Sequence, residues 1–338
     1  MTIDRTLNVK DIVIPHTAFS EAERQIAQFF RFAETKAEAE GLAIIGESGT
    51  GKTTVTSGFA SRHRPVRKED GLHVPVLFAS VPSQPTVKSL AEVLLEADGD
   101  PKPGYGTENE KTRRLQKLMK ETGVKVVILD EFQHFVDQGT HKVMRHVADW
   151  LKRLIDDTRS TLVISGLPSC MAVIDQNVQL ARRFSAPIVM PRFKWENSAD
   201  RTQFRGIVRG FCKHISQSYT LPDLHFDDLA FRLYLASGGL IGYLGKLLTK
   251  VQRDCAERGE GTITVKDLHD AHMQAIWFAQ RSPDLPKPFD PSFGAGPTSG
   301  MVKQASAVGT PPEPALVAPR RGPVRTRPVT LNEMLVAR

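Results

Sequence analysis

Short apolar runs alternate with amphipathic stretches up to about residue 193, and this alternation predicts the fold class. Five runs have the length and uninterrupted apolar character of buried strands. They span residues 42–45, 74–81, 124–129, 161–164 and 187–190. Helical patterns separate them, and a capping box at Ser20 and Glu23 predicts a first helix that runs to about Glu40. The pattern predicts an α/β domain whose parallel sheet is covered by helices on both faces.

Beyond Phe193 the strand patterns stop, and apolar residues recur at helical spacing through residues 197–281. Half of the 22 prolines lie at or after Pro283, in a segment of mostly small residues that ends in a basic stretch. We expect disorder over residues 283–330 because so little apolar surface cannot fold by itself. The end of this tail is either solubilising or a short hook that folds on a partner. The predicted divisions are an N-terminal extension (1–19), the α/β domain (20–192), a smaller all-helical domain (193–281) and a Pro-rich basic tail (282–338).

Composition and charge narrow the classes of function. The 338-residue chain is 40% hydrophobic and 25% charged, which excludes fibrous and wholly disordered proteins. Its formal net charge of +7 suits a polyanionic partner. The three cysteines have no CxxC spacing, so we expect neither a disulfide framework nor a zinc site. No run is long enough to span a membrane and the N-terminus has no signal-peptide pattern, so we expect a cytoplasmic protein without a membrane partner.

A glycine-rich loop follows the first predicted strand and opens the next helix. It reads Gly46-Glu47-Ser48-Gly49-Thr50-Gly51-Lys52-Thr53, a complete G-x4-G-K-[ST] motif, and Thr54 follows it. The glycines let backbone amides converge on phosphate oxygens, and the helix start adds the positive end of its dipole. Lys52 reaches the β- and γ-phosphates, and the Thr53 hydroxyl binds Mg²⁺. These residues, with Thr54, are predicted to bind a nucleoside triphosphate and Mg²⁺.

Two carboxylates end the third predicted strand. Asp130 and Glu131 follow the apolar run 126–129, which is the pattern of a Walker B segment. Asp130 is predicted to hold Mg²⁺ through water, and Glu131 to orient and polarise the water that attacks the γ-phosphate. Because an acidic pair favours water over another hydroxyl as nucleophile, the motif predicts an ATPase rather than a kinase.

Two further predictions concern polar residues near the later strands. Ser165 follows the strand 161–164 and is predicted to hydrogen-bond the γ-phosphate or the attacking water, if its strand lies between those that carry the P-loop and the acidic pair. Arg182 and Arg183 precede the last strand, where an arginine could reach the nucleotide of a neighbouring subunit. The alternative for these arginines is an ordinary basic pair on the surface.

Taken in order, these motifs resemble those of the AAA+ ATPases, which carry a helical lid after the P-loop domain. Four segments resemble more closely the TniB-type transposition ATPases, relatives of TnsC and IstB. They are Val13-Ile14-Pro15-His16, GESGTGKT at 46–53, ILDEFQHF at 128–135 and QLARRF at 179–184. The resemblance covers about residues 8–275. It implies that ATP and Mg²⁺ are bound, that Ile14 and Pro15 lie near the adenine, and that Arg183 or Arg182 is the arginine finger.

The resemblance also implies an ATP-dependent regulator of DNA transposition with DNA-stimulated hydrolysis. Such a protein would form a homo-oligomer, either a ring or a helical filament, on double-stranded DNA of any sequence. It would recruit a transposase and a target-selection protein. One departure concerns the lid stretch 237–242, which has glycine where related initiator-type ATPases often carry a basic sensor residue. Lys246 is the nearest substitute, so we expect slow hydrolysis that acts as a timer.

The residues expected to contact DNA lie before and within one predicted helix. They are Lys102, Tyr105, Thr107, Lys111, Arg113 and Arg114. A basic cluster of this kind neutralises phosphates without reading sequence, and the alternative is a solvated helix face. The helix after the acidic pair is a second candidate. Its expected solvent-facing cations are Lys142, Arg145, Lys152 and Arg153.

Other functions stay open at this point. A helicase loader or helper ATPase of the IstB type shares the ATP chemistry and differs in its partner. A scaffold that ATP switches between two states would bind a protein through its basic tail. A P-loop phosphotransferase needs an arginine-rich closing lid, and residues 193–281 show no obvious pattern for one.

Overall fold

The structure is a computed structural model that describes residue 9 and residues 12–33, 38–137, 139–276, 285–294 and 298–309. Its strands are β1 (Gly41–Ile45), β2 (Val66–Lys68), β3 (Gly71–His73), β4 (Val76–Ser80), β5 (Val126–Asp130), β6 (Thr161–Gly166) and β7 (Ile188–Val189). Five of them form a sheet in the order β4-β5-β6-β1-β7, in which every pair is parallel. The other two, β2 and β3, form an antiparallel hairpin that the sequence pattern did not predict.

Helices cover the sheet and continue beyond it. They are α1 (Thr17–Phe32), α2 (Lys52–Arg62), α3 (Val87–Ala97), α4 (Glu108–Glu121), α5 (His134–Asp137), α6 (His141–Thr158), α7 (Met171–Ile174), α8 (Val178–Ala181), α9 (Ser198–Ile215), α10 (Phe226–Ser237), α11 (Ile241–Glu257), α12 (Val265–Ala275) and α13 (Ser299–Ala305). In the part of the chain that is described, none of these helices has the length and apolarity that a membrane crossing requires.

Both faces of the sheet are buried, as the continuous apolar runs predict. In β1, Leu42 and Ile44 join the core formed with α1 and α2, whereas Ala43 and Ile45 join the core formed with α3, α4 and α6. Successive side chains of a strand point to opposite faces, so a strand buried on both sides has no polar alternation. Each fully buried Leu or Ile contributes roughly 1.5–3 kcal/mol to the driving force for folding.

The first helix differs from its prediction at both ends. It begins at Thr17 and ends at Phe32, rather than running from Ser20 to about Glu40. The Ser20 N–H already donates to the His16 carbonyl at 2.9 Å, which is a helical bond, so Ser20 lies inside the first turn and caps nothing. His16 occupies the N-cap position in an extended conformation, and its ring packs against Phe19 and Phe193.

The helices after β7 surround a second apolar core. Phe193, Phe204 and Leu244 are fully buried in it, with side chains from α9, α10, α11 and α12. The described residues up to Val308 nevertheless belong to one compact unit. The domain boundary at residue 192 therefore stays a prediction.

The expectation of disorder from residue 283 is wrong for part of that segment. Phe289, Val302 and Ala305 are buried in the core of the helical region, and α13 packs against α10. These apolar residues are few, but they pack against an apolar face of the helical region. The segment therefore needs no core of its own. The predicted basic hook lies within residues 310–338, outside the described residues.

Candidate functional site

The sheet order brings three predicted segments to one edge. β6 lies between β1 and β5, and the three strands run in the same direction. The P-loop after β1, the acidic pair at the end of β5 and Ser165 near the end of β6 therefore meet at the carboxyl edge of the sheet. In open parallel sheets this edge is where ligands bind. The condition set for Ser165, a strand between the other two, is met.

The P-loop has the backbone that its glycines allow. Gly49 and Gly51 have φ values of +83° and +95°, which other residues seldom adopt, and α2 begins immediately afterwards at Lys52. The Lys52 ammonium donates to the carbonyls of Gly46 and Glu47, both at 2.8 Å. Burial lowers the pKa of Lys52, and the neighbouring carboxylates of Glu131 and Asp130 oppose that shift.

The acidic pair has two different environments. Asp130 is 3% exposed, and its Oδ1 has no hydrogen-bond partner among the described residues. Glu131 is exposed and has a φ of +55°, a strained conformation for a residue with a side chain. Its carboxylate accepts a hydrogen bond from the Gln133 amide. The Asp130 carboxylate is buried and has an oxygen without a partner among the described residues, whereas the Glu131 carboxylate is accessible and hydrogen-bonded to Gln133. These different environments suit two separate roles.

The oxygen atoms near Lys52 fit a Mg²⁺ ion. Thr53 is exposed in the first turn of α2, and Asp130 offers an unpaired carboxylate oxygen. Mg²⁺ prefers such hard oxygen ligands and keeps several of its waters. The Ser165 hydroxyl is also fully buried and lacks a partner among the described residues. Buried polar atoms without partners are rare in native proteins, so both groups are candidates for ligand contact.

A cavity of about 520 Å³ lies beside the P-loop. Thr50, Gly51 and Thr54 line it together with the cations Lys246, Lys250 and Arg253 and with an apolar wall. The residues of the apolar wall are Val9, Ile12, Val13, Ile14, Phe19, Phe211, Ile241 and Ala275. Its size and its apolar wall suit a nucleotide base and ribose. Ile14 lines this cavity, whereas Pro15 is exposed and is not part of the lining. The expectation that these two residues lie near the adenine stays a prediction.

The helical region after β7, which we call the lid, contacts the P-loop through the start of α11 and lines part of the cavity. The Gly242 N–H, at the start of α11, donates to the Gly49 carbonyl at 2.7 Å. A Cβ on Gly242 would lie 2.9 Å from Gly49 Cα, so only glycine permits this approach. Lys246 follows one turn later and lines the cavity. Its suggested role as a phosphate sensor stays a prediction.

Arg192 joins three parts of the chain, and the sequence analysis missed it. Its guanidinium pairs with Glu47 of the P-loop at 2.6 Å and donates to the carbonyls of Gly238 at 2.8 Å and Val308 at 3.0 Å. The P-loop, the lid and the C-terminal segment therefore meet at one side chain. No local motif marks this arginine, because its partners lie far away in sequence.

The two candidate arginine fingers lie at the opposite end of the sheet. The Gly41 N–H at the start of β1 donates to the Arg183 carbonyl at 2.8 Å, while the P-loop follows the other end of this strand. Five residues of strand separate the two ends by about 16 Å. The Arg183 side chain pairs with Asp156 at 2.8 Å, whereas Arg182 is exposed. Of the two, Arg182 is the better candidate for a contact with another subunit.

The expected DNA cluster is only partly accessible. Lys111 is fully buried and pairs with Glu92 at 2.6 Å, so the prediction that it contacts DNA is wrong. Its long side chain turns inward because Glu92 and the Pro103 carbonyl offer it two acceptors. Arg114 pairs with Asp100 and donates to two loop carbonyls, and Thr107 caps α4. Both therefore hold the loop in shape.

Four members of the cluster remain on the surface. Lys102, Thr107 and Arg113 are exposed, and Tyr105 is 74% exposed. On the second candidate helix, α6, the exposed cations are Lys142, Arg145 and Arg153, while Lys152 is 3.7 Å from Asp156. DNA contact by either group stays a prediction.

Several solved structures have the same fold as this chain. The Aeropyrum pernix Orc1 protein in complex with DNA is 16% identical with a TM-score of 0.56, over 80% of this chain and 68% of its own. The Aeropyrum pernix Orc2 protein in its ADPNP-ADP complexes is 14% identical with a TM-score of 0.57, over 82% and 74%. Cdc6p from Pyrobaculum aerophilum is 13% identical with a TM-score of 0.57, over 80% and 71%. At these identities the likeness concerns the fold alone.

The match to a protein family lies in the α/β region of the chain. The chain matches none of the curated protein sequences with which it was compared. The family model described as bacterial TniB protein matches residues 7–195, more than half of the chain. This range contains the P-loop, the acidic pair, Ser165 and both candidate arginines. The chain is therefore a member of the bacterial TniB family and has the fold of an AAA+ ATPase.

Proposed function

We propose that this protein is a Mg²⁺-dependent ATPase that regulates DNA transposition. One observation carries the ATPase proposal: Lys52, Asp130 and Glu131 lie together at one sheet edge beside a cavity. Among the described residues the buried Asp130 carboxylate has an oxygen without a partner, whereas the accessible Glu131 carboxylate is hydrogen-bonded. Lys52 and the P-loop amides bind the phosphates, and Thr53 and Asp130 hold the metal. When bound, Mg²⁺ neutralises the phosphate charge that develops during transfer.

Hydrolysis follows from the position of Glu131. Its carboxylate accepts a proton from water as the water oxygen attacks the γ-phosphorus and the bond to the β,γ-bridging oxygen breaks. The products are ADP and inorganic phosphate. Ser165 is suited to hydrogen-bond the γ-phosphate or the water, because its buried hydroxyl lies on the strand between the two catalytic segments.

Two substitutions test this chemistry. Lys52→Ala should abolish binding of a fluorescent ATP analogue, because the phosphates lose their cation. Glu131→Gln should retain that binding and reduce phosphate release by roughly a hundredfold or more, because the carboxamide takes up no proton. A Glu131→Gln protein that hydrolyses ATP at the normal rate would contradict the assignment.

The DNA-related part of the proposal rests on the family and on the surface charge. The formal charge is +7, and Lys102 and Arg113 are exposed beside Tyr105. Such side chains bind phosphates without reading sequence. We infer that ATP-bound subunits assemble as a ring or helical filament on double-stranded DNA and recruit a transposase and a target-selection protein. Slow, DNA-stimulated hydrolysis then ends this state.

Binding to labelled random-sequence duplex DNA tests this part. The protein should bind with a non-hydrolysable ATP analogue, less well with ADP, and more weakly as salt rises. Electron micrographs of the same samples should show assemblies on DNA. Absence of DNA binding with every nucleotide would leave the ATPase proposal intact and would favour a scaffold that ATP switches and that binds a protein. Co-purification with a replicative helicase would favour the helicase-loader alternative.

A further inference from the structure

A buried glutamine lies beneath the accessible carboxylate of the acidic pair. Gln133 is 7% exposed and lies two positions after Glu131, just beyond the end of β5. Its Oε1 accepts the Leu167 N–H at 3.1 Å, and its Nε2 donates to the Glu131 carboxylate. The side chain thus bridges the ends of β5 and β6, and neither the P-loop nor the metal ligands explain it.

The orientation of this amide is set by its surroundings. The Leu167 N–H can only donate, so the atom that faces it must be the amide oxygen, and the amide nitrogen must face Glu131. Gly166 leaves the space for this arrangement, because a Cβ there would lie 2.6 Å from Gln133 Oε1 and 3.2 Å from Gln133 N. The site therefore accepts one orientation of a glutamine side chain.

The bonded carboxylate lies at the same sheet edge as the phosphate-binding lysine, and its charge opposes the effect of burial on the pKa of Lys52. Glu131 has an exposed side chain, and contacts with solvent alone do not fix the orientation of a carboxylate. The Gln133 amide supplies the fixed donor that does.

We propose that Gln133 is a positioning residue, which holds the Glu131 carboxylate in one orientation at this sheet edge so that it meets the attacking water. This inference rests on the proposed function of Glu131. A carboxylate that is free to rotate would spend much of its time away from the reacting water, and the cost would fall on the transition state more than on ATP binding.

The alternative is that Gln133 merely connects the two strand ends. Gln133→Glu separates the two roles, because an ionised glutamate retains an oxygen for the Leu167 N–H but loses the donor to Glu131 and repels its carboxylate. We expect the maximal rate of phosphate release to fall roughly ten- to hundredfold, the loss typical of a hydrogen bond to a charged group, with a KM for ATP within about twofold. Gln133→Asn, which is one methylene too short to make both bonds, should show a smaller loss of the same kind.

A binding measurement makes the test independent of turnover. ADP with aluminium fluoride mimics the phosphoryl group during transfer, so the Gln133→Glu protein should bind it roughly ten- to hundredfold more weakly and should bind a non-hydrolysable ATP analogue normally. Gln217→Glu makes the same chemical change at an exposed position and should behave like the unsubstituted protein. In a protein that already carries Glu131→Gln, adding Gln133→Glu should not lower the affinity for ADP with aluminium fluoride any further.

Three results would overturn the inference. They are a normal maximal rate for Gln133→Glu, an equal loss of affinity for both nucleotide analogues, and an additive loss in the Glu131→Gln background. If Glu131→Gln is inactive while Gln133→Glu is fully active, the inference about Gln133 fails and the ATPase proposal stands. If Glu131→Gln itself retains normal hydrolysis, the proposed role of Glu131 fails and this inference fails with it.

Discussion

At the scale of single residues, the side-chain environment decides what a charged residue can do. Lys111 and Arg113 are two positions apart on α4, yet one is buried and the other exposed. Both residues were predicted to belong to the DNA cluster, because the prediction depends only on charge and spacing. The acceptors of Lys111, Glu92 and the Pro103 carbonyl, come from other parts of the chain. They could not be read from the local pattern.

Substitutions in this cluster should separate stability from DNA binding. Lys111→Met should lower the free energy of unfolding by about 1–2 kcal/mol, since two hydrogen bonds are lost while half-exposed Glu92 stays hydrated. It should leave the salt dependence of DNA binding unchanged. Lys102→Ala and Arg113→Ala should each lower the slope of log affinity against log salt by about one. A reduced slope for Lys111→Met, measured by DNA titration, would show that Lys111 contacts DNA phosphates.

Asp98 gives a prediction about pH. It is fully buried, its Oδ1 accepts the Thr122 hydroxyl at 2.8 Å, and burial raises the pKa of its carboxyl to about 7. The folded chain therefore retains a proton that the unfolded chain releases near pH 4. Its stabilising contribution is complete below about pH 4 and is lost as pH rises through 7.

Asp98→Asn should remove this dependence. Relative to the variant, the unsubstituted protein should lose roughly 2–4 kcal/mol of unfolding free energy between pH 4 and pH 8. Any constant cost of burying the new amide cancels, because only the change with pH is compared. Denaturant unfolding at several pH values measures it. If the unfolding free energies of the two proteins changed with pH in the same way, Asp98 would ionise normally in the folded chain.

At the scale of elements, local signals predicted the strands well and the boundaries less well. The five sheet strands follow from short apolar runs, which are visible in sequence, although Val189 of the two-residue strand β7 is 59% exposed. The β2–β3 hairpin has only three residues in each strand, and β2 is fully exposed, so no apolar pattern marks it. The start of α1 depends on the packing of His16 against Phe19 and Phe193, and only the folded chain shows that contact.

The residues of the candidate site also divide into those that local sequence predicts and those that it does not. Lys52, Asp130 and Glu131 belong to contiguous motifs whose chemistry requires those residues, and the parallel sheet order then brings the motifs together. Gln133 lies in the same predicted segment, but its role depends on a partner in the following strand and on the space that Gly166 leaves. Arg192 likewise depends on partners that are distant in sequence.

The contact between α11 and the P-loop gives a prediction for an element. Gly242→Ala should weaken binding of an ATP analogue roughly tenfold, because the added methyl group meets the Gly49 backbone and moves the lid. Gly206→Ala is the matched control, since a Cβ on this exposed residue of α9 meets no atom within 4 Å. The control should retain affinity and gain about 0.5–1 kcal/mol of stability. Equal affinities of the two variants would show that lid docking does not shape the site.

At the scale of the whole molecule, the site and the candidate arginine finger are on opposite edges of the sheet. Arg182 is exposed near the amino end of β1, about 16 Å of strand away from the P-loop. An arginine side chain cannot cover that distance within its own subunit. If Arg182 acts in hydrolysis, it must act on the nucleotide of a neighbour, in a head-to-tail contact between copies.

Mixing two inactive proteins tests this arrangement. Arg182→Ala retains Glu131, and Glu131→Gln retains both ATP binding and Arg182, so each should be inactive alone. In an equimolar mixture with DNA, about a quarter of the interfaces should pair an intact Glu131 with an intact Arg182 and recover hydrolysis, because each head-to-tail interface draws its two sides at random. Phosphate release by the mixture measures the recovery.

The same mixture with Arg183→Ala distinguishes the two arginines. Arg183 pairs with Asp156 in its own subunit, so this variant should lose stability and should gain nothing from the partner protein. Recovery with Arg183→Ala instead of Arg182→Ala would mean that the Asp156 pair opens on assembly. Recovery with neither variant would contradict hydrolysis across a subunit interface. Because the site chemistry and the finger sit on different copies in this arrangement, hydrolysis would require assembly, and DNA that promotes assembly would stimulate hydrolysis.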